Sequence, residues 1–258
     1  MIEQNLRVTL VQTDLVWENA AKNREHIEHH IEQITDSDLI ILPEMFTTGF
    51  SMKPQAIAET MDGPSIQWMQ RQAAAKNCAI VGSMIITENQ HFYNRLLWVN
   101  ADGSIAHYDK KHLFTFAHED REYTAGNTPL IVDFKGWKIA AFICYDLRFP
   151  VWSRNLNERY DAALYIASWP ARRSLHWRTL LQARAIENQS YVIGVNRVGQ
   201  DGNQLDYTGD SMLIEPLGEI LLHERECEAV KTMTLSLAHV RDTRERFPFL
   251  KDADPFAL

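Results

Sequence analysis

The chain alternates short apolar runs with longer amphipathic stretches. Continuous apolar runs occur at Leu39–Leu42, Ile139–Ile143 and Ala162–Ala167, and such runs are typical of strands buried on both faces of a layered sheet. Within Glu18–Ile34, isoleucines recur at helical spacing with charged residues between them, which predicts an amphipathic helix. The pattern therefore indicates strands and helices in alternation.

Extended over the whole chain, the same analysis predicts about a dozen strands and four or five helices. The predicted strands are Leu6–Val11, Leu39–Leu42, Ala79–Thr87, Tyr93–Val99, Ile105–Tyr108, Leu130–Phe134, Trp137–Ile143, Ala162–Ala167, Tyr191–Val198, Ser211–Ile214, Ile220–His223 and Val230–Leu235. The predicted helices are Glu18–Ile34, Ser65–Lys76, one from Pro150 to about Arg159, Ser174–Gln189 and Ala238–Glu245. With no linker or repeat between them, these elements predict a single α/β domain over residues 1–258, with helices covering the sheet faces. The last segment, 246–258, carries three phenylalanines, and we expect it to dock on the rest of the domain.

Composition narrows the classes of partner. The chain has 258 residues with 45% hydrophobic and 23% charged residues, a net charge of −8 and no long basic stripe, so we expect no nucleic-acid partner. The three cysteines, Cys78, Cys144 and Cys227, form neither a disulfide framework nor metal-ligand spacing. The N-terminus lacks the features of a signal peptide, and no apolar run approaches the ~18 residues of a membrane span. A cytoplasmic protein with no membrane partner is expected.

The segment Lys138–Pro150 (KIAAFICYDLRFP) has the layout of a strand, a tight elbow and a helix. Its apolar run stops at Cys144, and Pro150 suits the first turn of a helix. A strand end next to a helix is where α/β enzymes present nucleophiles. A free cysteine alone is usually a small buried hydrophobe, so a nucleophilic role for Cys144 requires other functional residues near this elbow.

Other polar residues also follow apolar strands or lie in the loops after them. Glu44 follows Leu39–Leu42, Lys110 follows Ile105–Tyr108, and Glu119 lies in the long loop after Lys110. Strand ends at one edge of a sheet converge in space, so these side chains are expected to share a pocket with Cys144. A carboxylate, an ammonium group and a thiol would supply the base, the electrophile and the nucleophile of a thiol hydrolase. His112 offers a competing cysteine–histidine scheme that the spacing leaves open.

Three segments carry a family resemblance. LPEMF (42–46), YDKKHLF (108–114) and CYDLRFP (144–150) resemble, in the same order, the signature segments of the nitrilase (carbon–nitrogen hydrolase) superfamily, and RAIENQSYV (184–192) is similar to its helix-to-strand segment. LPEMFTTGF, CYDLRFPVWSRNLN, SWPARRSLHW and the RFP tail are most similar to its omega-amidase (2-oxoglutaramate amidase) branch.

The resemblance implies a four-layer α-β-β-α sandwich, a homodimer that stacks helical faces, and chemistry without a metal or organic cofactor. It places the family's catalytic glutamate on Glu44, its lysine on Lys110, its nucleophile on Cys144 and a second glutamate on Glu119.

The substrate expected from the resemblance is a small omega-amide of a 2-oxo dicarboxylic acid. The backbone N–H of Tyr145, together with Lys110, would bind the oxyanion. The distal carboxylate calls for an arginine; Arg173 is the first candidate and Arg148 the second, although either could form a local ion pair instead. Trp169 would wall the pocket or belong to the core.

Two other functions remain open at this point. One is another carbon–nitrogen reaction, on a nitrile or an N-carbamoyl amino acid. The other is a non-catalytic thiol protein that binds a partner, in which Glu44 and Lys110 need not affect Cys144.

Overall fold

Two β-sheets form the centre of the computed structural model, which describes residues 4–254. The strands are β1 (Asn5–Gln12), β2 (Leu39–Ile41), β3 (Ala79–Glu88), β4 (His91–Val99), β5 (Ile105–Asp109), β6 (Leu130–Phe134), β7 (Trp137–Ile143), β8 (Ala162–Ala167), β9 (Tyr191–Asn196), β10 (Val198–Gln200), β11 (Asp206–Ile214), β12 (Ile220–Arg225) and β13 (Ala229–Ser236). The α-helices are α1 (Ala20–Glu32), α2 (Pro54–Ile57), α3 (Pro64–Lys76), α4 (Glu119–Glu122), α5 (Pro150–Ser153), α6 (Ser174–Asn188) and α7 (Leu237–Arg246).

The sheets combine parallel and antiparallel strands. The first has six strands in the order β13-β1-β2-β3-β4-β5, and the second has seven, ordered β10-β11-β9-β8-β7-β6 with β12 paired to β11. The pairs β1–β2–β3 and β7–β8–β9 are parallel. In each sheet, a parallel centre is therefore flanked by antiparallel strands.

The side-chain alternation of the strands explains the layers. In β2, Leu39 and Ile41 belong to the core shared by the two sheets, whereas Ile40 and the following Leu42 pack with α1 and α3. The core between the sheets also extends to α6 and α7 through residues such as Leu181 and Val240. The predicted α/β sandwich with a helix layer outside each sheet is confirmed.

The helix predicted from Pro150 to Arg159 is wrong beyond Ser153. Asn155 explains the break. Its side-chain amide donates a hydrogen bond to the carbonyl of Tyr160 at 2.9 Å and accepts one from the Tyr160 N–H at 3.1 Å. Such local side-chain bonds compete with helix formation. The predicted strand 191–198 is also divided, into β9 and β10, and the short helices α2 and α4 were not predicted.

The C-terminal segment runs back over the domain as far as it is described. A short 3₁₀ turn, Phe249–Asp252, buries Leu250 and lies near the turn Leu156–Glu158, while Phe249 stays exposed. Gln189 donates a hydrogen bond to the carbonyl of Phe247 at 2.8 Å. Residues 255–258, including the third phenylalanine, lie outside the described residues, so the docking role of 246–258 stays a prediction.

Within residues 4–254, no helix has the length and apolar character needed to cross a membrane.

Candidate active site

Cys144 occupies a strained elbow directly after β7. Its φ is +44°, a left-handed conformation that costs a non-glycine residue of order 1 kcal/mol or more. The carboxylate of Asp146 accepts a hydrogen bond from the N–H of Ile143 at 3.0 Å and so ties the 3₁₀ turn Cys144–Arg148 to the strand end. The thiol is therefore held in a fixed position at the edge of the sheet.

Asp146 also joins this elbow to the loop after β5. The hydroxyl of Tyr108 donates to Asp146 Oδ2 at 2.7 Å, and the backbone N–H of His112 donates to Oδ1 at 3.0 Å. His112 Nδ1 lies 2.8 Å from the same oxygen, and the imidazole stacks on Phe149 with ring centroids 3.7 Å apart. His112 thus holds two segments together, and the described contacts include none between it and the thiol.

Glu44, Lys110 and Glu119 form a fully buried cluster of charged groups. Lys110 Nζ lies 2.8 Å from Glu44 Oε1 and 3.0 Å from both oxygens of Glu119. The N–H of Phe114 donates to Glu119 Oε2 at 2.6 Å. The positively charged ammonium group of Lys110 therefore lies between the two carboxylates.

Two further groups fix Glu44. The amide of Asn94, on β4, donates to Glu44 Oε1 at 2.8 Å and to Glu119 Oε1 at 3.3 Å. The backbone N–H of Ser168, just after β8, donates to Glu44 Oε2 at 2.8 Å. Both Glu44 oxygens are thus bound, in agreement with the rule that buried charges are paired and hydrogen-bonded.

The electrostatics of the cluster keep the thiol protonated. Burial raises the pKa of Cys144 well above its usual range, and the charge of Glu44 and a hydrogen bond to it raise it further, whereas Lys110 opposes the shift. Burial alone would lower the pKa of Lys110, but Glu119 and Glu44 raise it. Burial, together with the charge of Glu44, raises the pKa of Glu119 against the attraction of Lys110. The resting arrangement is a neutral thiol next to a carboxylate.

Cys144 and Lys110 open onto a cavity of about 270 Å³. Arginines and aromatic rings form much of the rest of its wall: Phe50, Phe114, Phe116, Tyr145, Arg148, Trp169, Arg172, Arg173 and Tyr207. Among residues 4–254, neither Arg148 nor Arg173 forms an ion pair with a carboxylate. The cavity is therefore positively charged and unbalanced by acids within its wall, apart from Asp201, which binds its own loop and Tyr207.

The two candidate arginines are held by aromatic neighbours. The guanidinium of Arg148 lies 4.6 Å from the centroid of the Trp169 ring, and that of Arg173 lies 5.2 Å from the Phe114 ring. Trp169 Nε1 donates to the carbonyl of Arg173 at 2.9 Å. Burial and the neighbouring Arg172 lower the pKa of Arg173, but guanidinium groups stay charged in proteins. Trp169 is both buried and part of the pocket wall, so the two alternatives considered for it are compatible.

The sequence-based candidates are all at this site. Glu44, Lys110, Glu119 and Cys144 meet in one cluster, and the four candidate binding residues line the adjoining cavity. Sequence reasoning missed the residues that hold them in place: Asn94, Tyr108, Asp146 and Ser168. Asn94 is a polar residue within the largely apolar strand segment YNRLLW, and this was the available signal for it. Tyr108 and Asp146 lie inside the motifs quoted above.

Comparison with known proteins agrees with this geometry. The model of the family described as carbon-nitrogen hydrolase matches residues 7–245. The chain belongs to the carbon–nitrogen hydrolase family.

Individual relatives cover nearly the whole of this carbon–nitrogen hydrolase. It is 49% identical to the omega-amidase YafV of Escherichia coli K12 over 254 residues, 98% of each chain. It is 32% identical to the 2-oxoglutaramate amidase of Bacillus subtilis over 250 residues, 95% of this chain and 96% of the relative. The crystal structure of XC1258 from Xanthomonas campestris, a CN-hydrolase superfamily protein, matches with a TM-score of 0.97 and 46% identity, over 98% of this chain and 99% of that one. The predicted superfamily and fold are confirmed, as is the prediction of a cysteine-dependent amidohydrolase.

The raised pKa of Cys144 makes its alkylation dependent on pH in the free carbon–nitrogen hydrolase. We expect alkylation of Cys144 by iodoacetamide to be slow at neutral pH and to rise only in alkaline solution, because alkylation requires the thiolate. Glu44→Gln removes the negative charge that raises the pKa of Cys144, while Lys110 still lowers it. The alkylation profile of Cys144 should therefore move to lower pH in Glu44→Gln.

The measurement is mass spectrometry of the Cys144 peptide after timed labelling across pH. The exposed Cys227 is the internal control, since its profile should be the same in both proteins. An unchanged Cys144 profile in Glu44→Gln would refute the contribution of Glu44 to the pKa of Cys144.

Proposed function

We propose that the protein is an omega-amidase that hydrolyses the terminal amide of small 2-oxo dicarboxylic acid monoamides, such as 2-oxoglutaramate and 2-oxosuccinamate, to the dicarboxylate and ammonia. The observation that carries the proposal is the buried Glu44–Lys110–Glu119 cluster beside Cys144, which opens onto a cavity whose arginines Arg148 and Arg173 form no ion pair with a carboxylate in the described part of the chain. The names of the relatives at 49% and 32% identity support the same reaction. We also expect it to act in the cytoplasm.

The first half-reaction starts from the neutral thiol. As Cys144 Sγ attacks the amide carbonyl carbon, Glu44 takes the thiol proton, so that no free thiolate is needed in the resting enzyme. The carbonyl oxygen becomes an oxyanion, which Lys110 and the backbone N–H of Tyr145 stabilise. Collapse of this intermediate breaks the C–N bond, Glu44 gives its proton to the nitrogen, ammonia leaves, and a thioester remains on Cys144.

The second half-reaction reverses these roles. A water molecule loses a proton to Glu44 and attacks the thioester carbonyl, and the same donors bind the second oxyanion. The C–S bond then breaks, Glu44 returns the proton to sulfur and the dicarboxylic acid leaves. Glu119 keeps Lys110 in place through two hydrogen bonds of 3.0 Å. Glu119 therefore affects the reaction through Lys110.

The arginines of the cavity would bind the distal carboxylate of the substrate. A carboxylate that enters a pocket loses water and needs a fixed cation, and a guanidinium can bind it through two parallel hydrogen bonds. Arg173 is the first candidate, since it is half-buried, lies against Phe114 and has no carboxylate partner within residues 4–254. Arg148, held over Trp169, is the second.

The first prediction concerns the reaction and its nucleophile. Purified wild type should release ammonia from 2-oxoglutaramate, and Cys144→Ala should lower the turnover by about four orders of magnitude or more, as removal of a nucleophile typically does. Cys227→Ala, at an exposed thiol, is the matched control and should keep full turnover.

Near-normal turnover in Cys144→Ala would refute the mechanism. A wild type that ignores 2-oxoglutaramate but hydrolyses a nitrile or an N-carbamoyl amino acid would keep the nucleophile and replace the substrate.

The second prediction concerns the carboxylate. Arg173→Leu should lower kcat/KM for 2-oxoglutaramate by about 10- to 100-fold, mainly through KM, because one charge-assisted interaction contributes about 1.5–3 kcal/mol. Hydrolysis of propionamide, which has no carboxylate, should be unaffected. Steady-state kinetics of both substrates test this, with Arg71→Leu, at an exposed arginine of α3 that does not line the cavity, as the control.

An unchanged KM in Arg173→Leu would exclude Arg173. Loss of 2-oxoglutaramate affinity in Arg148→Leu instead would assign the carboxylate to Arg148.

We further propose that the protein forms a homodimer through the outer face of α6. Leu175 is 66% exposed and Ile186 51% exposed, and their positions on the helix, eleven residues apart, bring both to one face. Ile220 lines the same surface groove as Leu175. Gly218 lies so close to the helix that a β-carbon added to it would be 2.6 Å from the side chain of Ile186. This apolar face, exposed in a single chain, suits a second copy of the same chain.

Sedimentation at micromolar concentration should therefore give the mass of two chains. The double variant Leu175→Glu/Ile186→Glu should sediment as one chain, because two charges would be buried in the interface. Phe249→Glu, which changes an equally exposed hydrophobic residue elsewhere, should remain a dimer. A wild type that sediments as one chain would refute the proposal.

A further inference from the structure

Three potential metal ligands meet on the side of the first sheet, away from the residues of the candidate active site. His26 and His30 lie on α1, and Glu228 directly precedes β13. One ligand atom from each residue lies within 4.8 Å of those of the other two. His30 is largely buried, since its side chain is only 14% exposed.

The fold explains why these residues meet. Residues four apart lie on the same face of a helix, so His26 and His30 point in one direction, with ring centroids 4.7 Å apart. The antiparallel pairing of β1 with β13 sets Gln12 opposite Ala229, and this register places Glu228 next to Thr13, beside the helix.

The polar atoms converge on one carboxylate oxygen. Glu228 Oε1 lies 2.7 Å from His26 Nε2 and 3.8 Å from His30 Nε2. It also accepts hydrogen bonds from the Thr13 hydroxyl at 2.8 Å and the Asp14 N–H at 2.9 Å. Glu228 Oε2 accepts no hydrogen bond from residues 4–254.

We propose that His26, His30 and Glu228 bind a divalent transition-metal ion, Zn²⁺ in the first instance. Two imidazole nitrogens and one carboxylate oxygen are a donor set typical of zinc. Donors about 2.0–2.1 Å from a tetrahedral ion lie about 3.3 Å apart. Glu228 Oε1 lies 2.7 and 3.8 Å from the two imidazole nitrogens, and the ligand atoms of the three residues all lie within 4.8 Å of one another. Side-chain rotations that bring these atoms around the ion would complete the site.

The ion would act as a clip between α1 and the segment before β13. These elements are 196 or more residues apart in sequence and are joined here by side chains that are 14% to 40% exposed, so the site is open to an ion from solution. Its role is separate from the proposed amidase reaction, and the test needs no substrate.

Zinc binding is measured by calorimetric titration and equilibrium dialysis of the double variant Cys144→Ala/Cys227→Ala, in which the accessible thiols that would also bind zinc are removed. We expect one Zn²⁺ per chain and a higher Tm with zinc than with a chelator, because a ligand that binds only the folded state stabilises it. Adding His30→Ala should weaken binding at least tenfold, since even changes to residues that only support a metal ligand cost about 10- to 100-fold.

His29→Ala in the same background is the matched control. It removes an exposed histidine of the same helix and should bind zinc as before. His26→Gln serves as a second ligand variant if His30→Ala fails to fold, and should also weaken binding. Absence of stoichiometric binding in the double variant, or equal binding with and without the ligand histidines, would overturn the proposal.

Discussion

The ammonium group of Lys110, buried between Glu44 and Glu119, is the interaction on which the site depends. Removing one charged partner from a buried ion pair leaves an uncompensated charge and typically costs about 3–5 kcal/mol. Here each carboxylate approaches Lys110 within 3.0 Å, and hydrogen bonds from Asn94 and backbone N–H groups satisfy the remaining oxygens. Lys110 therefore stabilises both carboxylates against their mutual repulsion, and none of the three charges can be changed without altering the environment of the thiol.

This arrangement also keeps Cys144 as a neutral thiol until the substrate is attacked. Many reactive cysteines are thiolates before the substrate arrives. In this protein burial and Glu44 keep Cys144 protonated, so the proton leaves only during attack. The resting thiol is thereby less exposed to adventitious oxidation or alkylation, which follow thiolate character.

Local patterns in the sequence predicted an α/β domain and polar residues that converge at strand ends, whereas the four-layer sandwich and the roles of the four central site residues were implied by the family resemblance. Continuous apolar runs such as Ala162–Ala167 identify buried strands, and polar residues at strand ends such as Glu44 identify the edge where they converge. The break after Ser153 could not be predicted, since Asn155 is held not only by its bonds with Tyr160 but also by hydrogen bonds with Asn188, a partner 33 residues away in the chain. Likewise, the contact of Asn94 with Glu44 spans 50 residues, and periodicity carries no information about such distances.

The left-handed backbone at Cys144 sets a requirement of stability against a requirement of catalysis. Glycine at this position would relieve the strain that a residue with a β-carbon meets there. It would also remove the thiol and leave the unfolded chain more flexible. The elbow therefore carries strain as a condition of presenting the nucleophile, in line with the general conflict between stable backbones and working active sites.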